Sequence, residues 1–381
     1  MAVCLSALLG FAAFGFDLTY VRYARLELEN ATDAAAHAAL VRLRATGSLA
    51  QAQQAAITVA AQNRVWGGPL TLRAQDITFG GWDFTRRRFQ SGVAPANAVQ
   101  VVGARSATAG TNGPIALTFG RLFGVKNASM VHQGTAAYRI RSILVAQDIT
   151  GSFSGSIDQA AAADVALLDQ LYAYHIPADR IGMMLFTGDA TLFTPLTNLQ
   201  SGYTTVRLQW KGDGKTAYDA TKVSGITTCN KLDLNPASAP PFNHGWVPHC
   251  SSGGDGTNQG AAISAAIDAL NASSQPYESR TIVLITDGRP ACCTLSGGAV
   301  SCSETNACAM ARADEGTKMA NAATASGINV FTVSFGADAA QSAYNASLAR
   351  GTGTAYNTPD ATQLSTILST IAGAIPIAFV Q

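Results

Sequence analysis

The ten residues 143–152, ILVAQDITGS, constrain this chain more than any others. The apolar run Ile143 to Ala146 reads as a strand buried on both faces, as in a parallel sheet. An acid and two hydroxyls follow at alternate positions, Asp148, Thr150 and Ser152, with Gly151 placed where the chain can turn. Alternate residues of an extended segment point the same way. One carboxylate and two hydroxyls therefore converge just past the carboxyl end of a strand, where open α/β sheets place their ligands. Hard oxygens of this kind suit Mg²⁺, which takes few protein ligands and keeps waters. Taken alone, the pattern also fits a Ser/Thr turn at a strand end.

Two later segments add to it. Gly256-Thr257-Asn258 precedes a helical pattern that runs from Gly260 to Ile267, so Thr257 lies at a loop-to-helix junction. TIVLIT, residues 281–286, is a second apolar strand, and Asp287-Gly288 follows it directly. The set Asp148, Thr150, Ser152, Thr257 and Asp287, in this order, resembles the metal-ion-dependent adhesion site of von Willebrand factor A (VWA) domains. That family usually has Ser where this chain has Thr150, and the hydroxyl is kept. The resemblance implies a bound Mg²⁺ or Mn²⁺, with Thr150, Ser152 and Thr257 as inner ligands and Asp148 and Asp287 neutralising the ion, often through water. It also implies an open position for a carboxylate from a partner protein.

Residues 141–381 alternate strands and helices. Strands are expected at 143–146, 180–186, 281–286 and 328–335, and helices at 156–174, 261–270, 309–325 and 362–375. This predicts an α/β fold, a doubly wound parallel sheet with helices on both faces; the resemblance to VWA domains covers the whole of this half. Two insertions, 200–250 and 289–308, would leave the sheet at the end that carries the oxygens, where loops shape recognition.

The first half is organised differently. Residues 1–16 contain no charge but are short of the ~20 residues a spanning helix needs. Asp17 interrupts them, the apolar pattern continues to Val21, and Tyr20 and Tyr23 suit a membrane interface. We expect a transmembrane anchor over residues 1–23. Arg22 and Arg25 come after it, which by the positive-inside rule alone would place the C-terminus in the cytoplasm. The cysteine pattern below argues the opposite, so the expected explanation is a true start upstream with a basic tail; a cleaved signal peptide is the alternative. From Leu18 to about Arg64 apolar residues recur at helical spacing without Pro, giving an amphipathic stalk helix over 24–66 that Gly47-Ser48 can divide. The segment FGFDLTYVRYARLELENATDAAAHAAL is similar to the N-terminus of TadG-like proteins of the tight-adherence (Flp) pilus system, above all in Leu28-Glu29-Asn30-Ala31-Thr32-Asp33-Ala34-Ala35-Ala36. Beyond Pro69 the period shortens. Ile77, Phe79, Trp82 and Phe84, then 97–102, 115–119 and 129–138, read as strands of a small β-rich module over 67–140. Arg86-Arg87-Arg88 reads as a solvated hairpin turn. The succession WDF, NAVQV and FGRLFG also resembles the TadG-like region after the anchor.

Seven cysteines are present. Cys229, Cys250, Cys292, Cys293, Cys302 and Cys308 lie among Gly, Ser, Thr, Pro and Asn, at spacings too irregular for a zinc site and without a C-x-x-C pair. They fit disulfides in an oxidising compartment. Cys229 and Cys250 bound one insertion and are expected to pair; the other four would form two bonds of open connectivity. The charge of +1 and the 13% charged content give no basic field for nucleic acid. No G-x-S-x-G, H-E-x-x-H or P-loop occurs, and the histidines are scattered, so an enzyme is not expected. The resemblances imply a single-pass protein of a bacterial inner membrane with its C-terminal part in the periplasm or at the surface. Its partners would be pilus-assembly or pilin-like proteins, or a surface protein offering a carboxylate. A scaffold whose metal only stiffens the fold is the alternative.

Overall fold

A computed structural model describes residues 2–107, 112–152, 157–211, 223–229, 231–233, 247–252, 256–288, 293–294, 300–301, 306–360, 363–375 and 379–380. The chain forms two compact units, Met1–Arg139 with Ile377–Gln381, and Ile140–Pro376.

The first unit opens with helix α1, Ala2–Thr46, and helix α2, Leu49–Gln62. The break falls at Gly47-Ser48. Gly47 takes a left-handed φ of 66°, its amide closes α1 on the Leu43 carbonyl, and the Ser48 hydroxyl caps α2 by accepting from the Gln51 amide. The stalk is therefore divided at Gly47-Ser48 into a hairpin of two helices. Their buried faces are rich in alanine, with Ala31, Ala35 and Ala39 on α1 and Ala52, Ala56 and Ala60 on α2.

An antiparallel sheet lies against α1. Strands β1 (Ile77–Asp83), β2 (Arg88–Ser91), β3 (Ala98–Arg105) and β4 (Met130–Tyr138) are ordered β4-β3-β1-β2, and the C-terminal strand Phe379–Val380 adds beside β4. Gly103 and Gly134 face α1, and a Cβ on either would collide with Thr32 or Asp33. The missing side chains let helix and sheet approach. The expected strand at 115–119 shrinks to the pair Ile115–Ala116, followed by a 3₁₀ turn at Gly120–Phe123. Among the described residues no helix is long and apolar enough to cross a membrane. The side chains of residues 1–12, half of the expected anchor, lie outside the described residues.

The second unit is a mixed α/β domain. Its elements are β5 (Arg141–Asp148), α3 (Ile157–Ala173), β6 (Arg180–Phe186), β7 (Ala190–Asn198), α4 (Leu199–Lys211), α5 (Gln259–Ala272), β8 (Ser279–Thr286), α6 (Asn306–Ala325), β9 (Ile328–Phe335), α7 (Ala339–Ser347), β10 (Ala355–Thr358) and α8 (Leu364–Ala374). The sheet order is β7-β6-β5-β8-β9-β10. All neighbours are parallel except β7, which returns antiparallel on β6. Alternate residues of the parallel strands feed two cores. Ile143, Val145, Val283 and Ile285 pack with α3, α4 and α8. Leu144, Ala146, Ile282 and Leu284 pack with α5 and α6. The expected doubly wound sheet is thus present, with an antiparallel edge strand.

Two expectations need correction, and two elements go beyond them. The segment expected as a polar insertion from residue 200 opens with α4, whose Leu199, Val206 and Trp210 are buried. β7 and α7 go beyond the elements expected from the sequence; α7 begins with a capping box between Asp338 and Gln341. The domain expected to end at residue 381 closes at Pro376, because the last strand belongs to the first unit.

Candidate functional site

β5 delivers Asp148 to the carboxyl end of the sheet, fully buried. Its Oδ1 accepts the Thr150 amide at 2.9 Å, which folds the chain back, and its Oδ2 accepts the Thr286 hydroxyl at 2.6 Å. The Thr150 and Ser152 hydroxyls lie 3.0 Å apart, and Ser152 donates to Asp287 Oδ1 at 2.9 Å. Two neighbouring parallel strands, β5 and β8, thus end in one hydrogen-bonded set. Thr257 is buried at the start of α5, one residue before the N-cap Asn258. Its Oγ1 would lie 2.6 Å from a Cβ built on Gly288. Only glycine beside Asp287 leaves room for that hydroxyl, and Gln259 Nε2 secures the approach by donating to the Gly288 carbonyl at 3.0 Å. The structure therefore gathers all five oxygen-bearing residues at one place.

The two acids sit close enough to feel each other. The Asp287 carboxyl is pushed up to about 7, first by burial and then by the charge of Asp148, with the Ser152 hydroxyl pulling the other way. A site that crowds two carboxylates holds either a proton or a cation between them. Two carboxylates and three hydroxyls are a hard, oxygen-only donor set, the kind that fits Mg²⁺ or Mn²⁺. Among the described residues no group of three His, Cys, Asp or Glu side chains could hold a metal; this set has only two acids and depends on hydroxyls.

The supporting residues were less legible. Thr286 is the last residue of β8 and reads as strand, yet its hydroxyl fixes Asp148. Asp189, after β6, accepts the Thr227 amide and the Thr187, Thr227 and Thr228 hydroxyls at 2.6–3.1 Å. Thr228 precedes Cys229, which is bonded to Cys250 with Cα atoms 5.8 Å apart. The Cys250 amide donates to the Ile149 carbonyl at 2.8 Å, inside the Asp148–Thr150 turn. The expected Cys229–Cys250 pair thus closes a loop directly onto the oxygen cluster. Cys292 and Cys302, and the side chains of Cys293 and Cys308, lie outside the described residues.

Comparisons with known proteins give distant likenesses. No curated protein matches the chain. Proximal thread matrix protein 1 from the mussel byssus is 14% identical with a TM-score of 0.39 over 62% of this chain, which spans about half (49%) of that one. BatB from Bacteroides thetaiotaomicron is 19% identical, TM-score 0.35, over 62% of this chain and 98% of its own. The PilB minor pilin from Streptococcus sanguinis is 13% identical, TM-score 0.39, over 80% of this chain and 86% of its own. In the first unit, residues 30–136 match the family described as Putative Tad-like Flp pilus-assembly.

Proposed function

We propose that this chain is a pilus-associated binding protein whose second unit is a VWA domain that captures a carboxylate-bearing partner through a bound Mg²⁺ or Mn²⁺. The hydrogen-bonded cluster of Asp148, Thr150, Ser152 and Asp287, with Asp287 pushed up by burial and then by Asp148, supports the metal reading. The match of residues 30–136 supports the pilus association. Thr150, Ser152 and Thr257 would hold the ion, and Asp148 and Asp287 would balance its charge. A bound ion would supply an electrophilic position for an incoming carboxylate, because most of the residues that would hold it are uncharged hydroxyls. The protein binds rather than catalyses in this reading. Residues 1–23 anchor it in the inner membrane, with the rest on the oxidising side where a Cys229–Cys250 bond persists.

Calorimetric titration with Mg²⁺ and Mn²⁺ tests the site. The parent chain should bind one ion and Asp148→Ala should lose that binding while keeping its fold; unchanged affinity in the variant overturns the assignment. A pull-down of pilin-like proteins that survives chelation would place the partner away from the metal and leave the scaffold reading.

A further inference from the structure

The first unit carries an apolar surface that its own packing does not cover. After the 3₁₀ turn at Gly120–Phe123, residues 121–127 (RLFGVKN) are all exposed. Three are large and apolar: Leu122 is 78% exposed, Phe123 64% and Val125 54%. The turn is held firmly. The Val125 amide donates to the Gly120 carbonyl at 2.9 Å and the Leu122 amide to the Phe119 carbonyl at 2.9 Å. It is also tied to α1, where Asp17 accepts the amides of Thr118, Phe119 and Gly120 at 2.6–2.9 Å, and the Phe16 ring meets Phe119 edge-on at 5.7 Å. The α1 residues at this level, Phe14, Phe16, Leu18 and Tyr20, are exposed too.

We propose that this turn dips into the lipid headgroup and upper acyl region of the bilayer that holds α1, as a second membrane contact beside the helix. The proposal rests on the anchor reading given above. Four observations select lipid as the occupant. The surface's exposed α1 residues Phe14 and Phe16 close a stretch of sequence, 1–16, that carries no charged side chain. The border of the surface is basic, with Arg22 on α1 and Arg121 and Lys126 on the turn all exposed, matching anionic headgroups. Aromatic residues with polar tips lie just beyond: Tyr20 packs edge-on against Trp66 at 5.0 Å, and the Trp66 amide is held by Glu27 at 2.7 Å. Such residues gather at membrane interfaces. Finally, Asp17, the one acid among these apolar residues, has its carboxylate satisfied by three backbone amides, so it brings no unmet hydrogen-bonding need to the lipid boundary.

The test uses the full chain in vesicles of phosphatidylethanolamine and phosphatidylglycerol, with Phe123→Trp as reporter at an exposed position. Flotation of the parent chain with the vesicles checks the anchor. Lipids brominated at the upper acyl chain should then quench the extra emission of Phe123→Trp relative to the parent. Leu122→Asp combined with Phe123→Asp should still float but lose part of its retention when α1 is challenged with alkaline carbonate. A floating parent whose Phe123→Trp emission is not quenched overturns the proposal and leaves the anchor standing. Crosslinking of two copies through residue 123 in place of quenching overturns it as well, in favour of a self-association face. A parent that does not float removes the anchor, and the proposal falls with it.

Discussion

At the amino end of the central sheet, Asp179 lies against Arg141; at the carboxyl end, Asp287 lies against Asp148. The first pair is closed on itself. Arg141 donates to Asp179 from its backbone amide, Nε and a terminal guanidinium nitrogen at 2.6–2.9 Å, and both side chains are 1% exposed. Beside it Arg180 and Ser142 both donate to Glu278. Each buried acid at this end has a cation of the protein's own within hydrogen-bonding distance. At the carboxyl end the described hydrogen bonds to the acids come from hydroxyls and amides, and burial, then the charge of Asp148, raises Asp287 to about 7. The same strands β5 and β8 run from one end to the other. The amino end locks strands together, and the carboxyl end is where the proposed metal would sit.

That contrast can be broken at its strongest point. Asp179→Ala leaves Arg141 buried without its partner, and such losses cost about 3–5 kcal/mol. Chemical unfolding of the second unit should move accordingly; a loss below about 1 kcal/mol would mean that the amino end is no lock. The next effect belongs to the carboxyl end. Cys229→Ser with Cys250→Ser opens a loop with a sequence separation of 21, worth about 3 kcal/mol on the chain-entropy model. Because the Cys250 amide grips the Ile149 carbonyl, the double variant should also bind Mg²⁺ more weakly. Equal metal affinity would show that the oxygen cluster holds its shape unaided.

The third effect sets the two ends against each other directly. A ligand that binds only the folded state at a hundredfold excess over its Kd stabilises by about 2.7 kcal/mol. Adding Mg²⁺ at that excess should raise the unfolding midpoint of the parent chain and of Arg141→Lys alike. It should leave Asp148→Ala unmoved. A metal response that survives in Asp148→Ala would move the ion elsewhere.

Much of this was legible in the sequence because it rests on local pattern. Apolar runs ending in Asp148 and Asp287 announce strands and the oxygens beyond them, and the positions of Cys229 and Cys250 around one insertion announce their bond. What escaped depends on distant partners or on weak local signal. Asp17 reads as an interruption of an apolar run, but its ligands are amides more than 100 residues away. The hydrophobic stripe of α4, Leu199, Tyr203, Val206 and Trp210, has helical spacing, yet Gly202 and Thr204-Thr205 within it disguise it as loop. β7 has its apolar residues interrupted by Pro195, a residue suited to the sheet edge it occupies.

The smallest effect concerns an acid that belongs to neither end. Asp164 lies on α3 among Ala160, Ala161, Leu167 and Leu168, fully buried, and neither carboxylate oxygen finds a hydrogen-bond partner among the described residues. Burial pushes its carboxyl well above the ordinary 3.8. Below that value the group is neutral in folded and unfolded chains alike. As pH rises past it, the unfolded chain releases the proton while the folded one retains it, so stability is lost progressively until the folded group also ionises. Leu has the same branching and the same number of side-chain heavy atoms, and it needs no hydrogen bonds. Asp164→Leu should therefore gain about 1–3 kcal/mol at neutral pH and less near pH 3. Urea unfolding of both chains across that range reads the difference. A gain independent of pH would show that Asp164 keeps its ordinary titration in the fold, and a loss at every pH would show that a polar partner holds it.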